Sequence, residues 1–187
     1  MIISPARKFI FVHIPKCGGQ SIETAFLEDL GLDWSRREPL LLRPNENPKV
    51  GPPRLAHLTA REYMQYHYVS DELFAQYYKF SLIRHPVLRT ISLFNFLDVR
   101  GHFNRAITFE KFLFDWLPTQ LNSGNYFVQP QTHFLCDEKE EVLVDDIFTL
   151  ENIQNALPHI RRATGLRSSL QHINQSKKKH APTDINP

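Results

Sequence analysis

Seven consecutive residues near the N-terminus, Pro15-Lys16-Cys17-Gly18-Gly19-Gln20-Ser21, combine a cation, two glycines and a hydroxyl. A glycine loop that opens a helix gathers several unpaired backbone N–H groups around one point. The helix dipole adds about half a positive charge there. Lys16 contributes a full charge and Ser21 a hydroxyl, so the loop is suited to hold phosphate or sulfate. Two familiar loops of this kind do not fit. The string G-x-x-x-x-G-K-[ST] puts its lysine after the glycines, whereas Lys16 precedes them, and that string occurs nowhere in the chain. A cysteine phosphatase loop needs an arginine six residues beyond the cysteine, where this chain has Glu23. Cys17 is therefore not expected to be a nucleophile, although a helix N-terminus can lower a thiol pKa. Taken alone, the loop is also compatible with an ordinary structural turn.

A second basic element is Arg84-His85-Pro86, followed by Arg89 and Ser92. Arginine suits phosphate because its planar fork donates two parallel hydrogen bonds. Ser92 stands eight residues after Arg84, about two helical turns, so both can face one end of a sheet. An ion-pair role for Arg84 and an ordinary helix position for Ser92 remain open. Among nine histidines, His57 stands out by position, after a long loop and just before a helix cap at Thr59. A neutral histidine near pH 7 is suited to act as a general base.

The elements that must carry these groups follow from pattern. Residues 9–14 form a short apolar run of aromatic and β-branched type, read as a buried strand that Pro15 stops. Residues 20–30 have helical spacing, with Gly31 as a C-terminal cap. This gives strand, glycine loop, helix. Residues 33–53 contain Pro39, Pro44, Pro48, Pro52 and Pro53 and read as a long loop. Thr59 and Glu62 have capping-box spacing, so a short helix is expected from about residue 60. Residues 77–83 form a second strand, and a helix with Pro86 in its first turn runs to about residue 99. Thr108 is expected to cap a helix through Trp116 that Pro118 ends. Residues 141–144 read as a strand, and residues 150–163 as a helix closed by Gly165. Asp145 and Asp146 read as a solvated turn and not as a metal pair, because adjacent carboxylates in a strand point to opposite faces. The alternation argues for an α/β domain with a mainly parallel sheet, one unit over residues 1–187, with a polar tail from 171 to 187.

Bulk composition narrows the class. The chain has 187 residues, 42% hydrophobic, which suits one domain with a sizeable core. Its 22 basic and 20 acidic residues nearly balance, which argues against a general nucleic-acid or membrane-surface binder. Two cysteines do not make a disulfide framework, so a reducing compartment is expected. No apolar run is long enough for a membrane span. A cytoplasmic location is the corresponding expectation.

The pattern I-P-K-x-G-G-x-S after a first strand, with R-x-P-x-x-R-x-x-S after a later one, resembles the sulfotransferases that use 3′-phosphoadenosine 5′-phosphosulfate (PAPS). It is most similar to the carbohydrate group, notably the uronyl 2-O-sulfotransferases, and to their bacterial relatives. The resemblance runs from Phe9 to about Thr183. It implies a P-loop-like three-layer sandwich, a central sheet flanked by helices, and a metal-free reaction that leaves 3′-phosphoadenosine 5′-phosphate (PAP). It assigns Lys16, Cys17, Gly18, Gly19, Gln20 and Ser21 to the 5′-phosphosulfate, and Arg84 with Ser92 to the 3′-phosphate. Lys16 would also stabilise charge on the leaving phosphate.

The string Ala56-His57-Leu58-Thr59-Ala60-Arg61-Glu62 is similar to the segment holding the family's catalytic histidine, which makes His57 the expected base. Residues 129–136 resemble a segment near the acceptor, where Gln131 or His133 would touch substrate. Residues 176–183 resemble a late cofactor loop, which gives Ser176 and Lys179 nucleotide contacts, although a solvated lysine run is the plainer alternative. The expected acceptor is a carbohydrate hydroxyl. A small alcohol, a phenol or a peptide tyrosine is a second possibility, and a nucleotide-binding relative without turnover a third. A nucleotide kinase is disfavoured by the missing lysine after the glycines.

Overall fold

The computed structural model describes residues 2–103 and 107–170. Four strands form one sheet in the order β1-β2-β3-β4: Ile2–Ser4, Phe9–Val12, Tyr78–Ile83 and Asp146–Thr149. β2 pairs parallel with β3, and β3 with β4, while β1 runs antiparallel to β2 at the edge. In register, Phe11 faces Phe80 and Phe80 faces Asp146. Every residue of β2 is buried, as expected for a strand covered on both faces. The fold is therefore α/β with a mostly parallel sheet and helices around it.

Helix α1, Gly19–Asp29, follows β2 and buries Ile22, Ala25, Phe26 and Leu27. Phe26 meets Phe9 at 4.7 Å between ring centroids, and Phe11 meets Phe80 at 5.0 Å. Each fully buried phenylalanine contributes roughly 1.5–3 kcal/mol of burial free energy, so these rings anchor the loop between β2 and α1. The 33–53 segment contains three short 3₁₀ turns, at Trp34–Arg36, Glu38–Leu40 and Pro48–Val50. Ahead of α2, Glu62–Gln65, the expected capping box is present. Glu62 Oε2 accepts from the Thr59 N–H at 2.8 Å, and Thr59 Oγ1 accepts from the Glu62 N–H at 3.2 Å. Ser70 caps α3, Asp71–Gln76, and Pro86 opens α4, Pro86–Val99.

Three expectations are corrected. Pro118 does not end the helix after Thr108. α5, Phe109–Lys111, passes into a π-helical turn, Phe112–Trp116, and then into α6, Leu117–Asn122. The Leu117 N–H bonds the Phe112 oxygen, five residues back, which places Pro118 at the start of a new helical register where its missing donor costs little. Residues 141–144 are not a strand of the sheet, because Val142 only bridges Cys136. The strand is β4, further along, and it begins with Asp146. The two aspartates are not a solvated turn either. Asp145 pairs with Lys79 Nζ at 2.9 Å, while Asp146 accepts from the Tyr78 hydroxyl at 2.8 Å and meets His159 at 2.9 Å. β1 was not anticipated.

α7, Gln131–Leu135, returns the chain to the sheet, and α8, Ile153–Thr164, follows β4 and ends at Gly165 with φ 68°. A second apolar cluster around Phe112 joins α4 to the α5–α6 segment. Among the described residues, no helix is long and apolar enough to cross a membrane.

Candidate active site

A cavity of about 1060 Å³ opens where β2 and β3 end. Ligands in parallel α/β sheets collect at this end, because loops and helix N-termini converge there. Its lining includes Lys16, Gly18, Gly19, Gln20 and Ser21 from the glycine loop, His57 from the far end of the long loop, and Arg84 and Ser92 from the second basic element. Residues far apart in sequence are thus brought to one space.

The loop is built around a strained lysine. Lys16 has φ 69°, a left-handed conformation unusual for a residue with a side chain. Its ammonium lies 4.0 Å from the centroid of the Phe96 ring, and the Arg100 guanidinium lies 4.6 Å from the same centroid. Burial, and then the nearby charges of Arg84 and Arg100, lower the Lys16 pKa to about 8. α1 has no side-chain cap and no acidic residue in its first turn, so its positive end is left for an anion.

The glycines serve the protein side of the loop. A Cβ on Gly19 would sit 2.2 Å from His13 Cδ2, so the missing side chain makes room for the His13 ring. On Gly18, with φ 79°, a Cβ would meet Leu150 at 2.5 Å. His13 is buried, and its Nδ1 lies 2.7 Å from the equally buried Glu23 carboxylate on α1.

His57 is 8% exposed and packs edge-on against His13, with ring centroids 4.4 Å apart. Its Nδ1 lies 3.0 Å from the His13 backbone oxygen. A carbonyl oxygen only accepts, so Nδ1 carries the proton and donates it there. Burial first, and then the charge on His13, hold the His57 pKa well below its ordinary value of 6.5. The ring is therefore neutral at pH 7, and its Nε2 lone pair is free to accept a proton.

Arg84 Nη1 reaches the Lys16 backbone oxygen at 3.4 Å, while its buried Nε has no hydrogen-bond partner among the described residues. Ser92 is buried on α4, and one turn on Asn95 also lines the cavity with a buried Oδ1 that has no partner among the described residues. Arg89 is used structurally: its Nε donates to Pro15 O at 3.0 Å and its Nη1 to Gln129 O at 2.8 Å.

Cys17 is not brought into the cavity. Its side chain is fully buried, and its Sγ faces Gln131 Oε1 at 3.1 Å. Burial pushes its thiol up to about 11, which agrees with the expectation that it is no nucleophile. Gln131 does not face an acceptor, because its amide is held by Arg84 and Cys17. His133 is exposed and does not line the cavity. Ser176 and Lys179 lie outside the described residues.

Four further cavity cations escaped the sequence reading: Arg37 and Arg43 from the long loop, Arg54 just after it, and Arg100 just after α4. The arginine content of the loop was the available signal. Against these stands Glu23, the one carboxylate among the described lining residues, and it is turned to His13. Among the described residues, no group of three or more His, Cys, Asp or Glu side chains is placed to hold a metal ion.

The whole arrangement is a cationic cavity beside the neutral His57 imidazole, suited to bind a polyanion and to take a proton from a hydroxyl. Neither a curated protein nor a solved structure matches the chain. A model of the Sulfotransferase family matches residues 1–186. This match covers nearly the whole sequence, and the chain belongs to the sulfotransferase family, whose reaction is the transfer of a sulfuryl group.

Proposed function

We propose that this chain transfers the sulfuryl group of PAPS to an acceptor hydroxyl, with His57 as general base and Lys16 stabilising the leaving phosphate. The observation that carries the reading is the sharing of one cavity by a neutral His57 and the cationic glycine loop. The residues fit the donor on two counts. The lining has a large excess of positive charge, and the buried Arg84 Nε lacks a partner that a phosphate oxygen would supply.

PAPS, when bound, supplies a sulfuryl group already activated by its bond to a phosphate oxygen. Lys16 and the residues from Gly18 through Ser21 would hold the 5′ side, and Arg84 with Ser92 the 3′-phosphate. Phe96 keeps the Lys16 ammonium beside the loop, where it neutralises charge on the phosphate oxygen released as the S–O bond breaks. His57 Nε2 takes the hydroxyl proton as the new O–S bond forms, and the Nδ1–H bond to His13 O keeps that lone pair in place.

The acceptor we favour is a carbohydrate hydroxyl. A phenol or peptide tyrosine is the second reading; Trp34 and Phe127 in the cavity lining offer flat rings that stack on sugars and phenols alike and fit either acceptor. A labelled-sulfate transfer screen against polysaccharides, small alcohols and phenols tests the assignment. Transfer to one class is expected. Retention of all label on PAPS, in a protein that binds PAP, would point instead to a nucleotide-binding relative without turnover.

A further inference from the structure

The glycine loop and Arg84 follow neighbouring strands, and beside the 3.4 Å bond from Arg84 Nη1 to Lys16 O a second side chain ties them together. Gln131, the first residue of α7, accepts from the Arg84 N–H through Oε1 at 2.8 Å and donates from Nε2 to the Arg84 oxygen, also at 2.8 Å. The same Oε1 accepts from the Cys17 thiol at 3.1 Å. Only one orientation of the amide satisfies all three bonds, because Arg84 presents one backbone donor and one backbone acceptor. β3 ends at Ile83, whose partner in β4 is Thr149, so Arg84 is the first residue beyond the ladder. Gln131 takes both polar groups of its backbone as a neighbouring strand would. The raised thiol pKa keeps Cys17 protonated and therefore a donor.

We infer that Gln131 is a positioning residue that fixes the separation and direction of the two anion-binding elements, the glycine loop and Arg84. The inference rests on the reading that one bisphosphate ligand spans both elements. A ligand that touches only the loop needs that loop alone, whereas a ligand with phosphates at both ends needs the two held at a set spacing. Arg89 supports the same strap from the other side by bonding Pro15 O and Gln129 O; the long 3.4 Å bond to Lys16 O engages the Arg84 side chain, whereas Gln131 holds the Arg84 backbone. Gln131 does not line the cavity, so it acts through the residues it holds.

The test is a calorimetric comparison of PAP and 5′-AMP on the full chain, for wild type, Gln131→Met and Cys17→Ala, with a thermal melt of each. Gln131→Met keeps length and volume but removes all three bonds. It is expected to lower the PAP-to-AMP affinity ratio by about tenfold, through weaker PAP binding with AMP nearly unchanged. Cys17→Ala breaks only the loop arm and is expected to shift the ratio the same way by less, which keeps the test available if Gln131→Met does not fold. A merely structural role would lower the melting temperature and weaken both ligands together, leaving the ratio at its wild-type value. That result overturns the inference. Equal affinity of the wild type for PAP and AMP would instead overturn the bisphosphate reading beneath it.

Discussion

The Nδ1 atom of His57 donates to the backbone oxygen of His13 at 3.0 Å, and the side chain of that same His13 is held by Glu23 at 2.7 Å. One residue at the exit of β2 thus positions the histidine that follows the long loop and ties it to α1. The bond selects a tautomer, and burial keeps the ring neutral.

A pH profile reads this directly. If His57 must be neutral to act, activity falls only when it gains a proton. Its pKa is held below 6.5, so the acid limb of kcat/KM is expected below the ordinary histidine range, with a flat rate from pH 6.5 to 7. An acid limb centred at 6.5 or above would show that the ring is not held as described.

Gly19→Ala tests the packing beneath the loop. The added Cβ would meet His13 Cδ2 at 2.2 Å, and the ring cannot retreat without losing Glu23. Overpacking of this kind typically costs roughly 1–3 kcal/mol. Lower stability by denaturant titration, together with lost transfer, is expected. Wild-type stability would mean that His13 is free to move.

Lys16 gives a second pH dependence of opposite sense. Its protonated form attracts an anion, and its pKa in the free protein is about 8. Binding of PAP therefore takes up a proton when it occurs above that value, and affinity is expected to fall as pH rises through 8. Lys16→Ala should bind more weakly and lose this dependence, as measured by calorimetry in two buffers of different ionisation enthalpy.

Much of the scaffold was legible because it depends on local chemistry. The buried run of β2, the turn at Gly18 and the reciprocal bonds of Thr59 and Glu62 each involve residues close in sequence. The two basic elements are far apart in sequence, and only the family resemblance joined them there; both line one cavity. The rest depends on contacts between distant residues. β1 has three residues, too few to show a pattern, and exists because β2 offers it an edge. The strand expected at 141–144 gave way to Asp146–Thr149 because Asp145 locks onto Lys79 and starts the ladder there. Gly19 lines the cavity and also makes room for the His13 ring, a packing role that the sequence pattern does not reveal. Arg37 and Arg43 in the long loop, and Arg54 just after it, follow no regular pattern, and only the fold brings them to the cavity that His57 also lines.

The most direct measurement is labelled-sulfate transfer from PAPS by His57→Ala, set beside its affinity for PAP. The account predicts PAP binding close to wild type and transfer reduced by roughly 10²–10⁴. Transfer at the wild-type rate, with PAP binding intact, would contradict the assignment of His57 as the base.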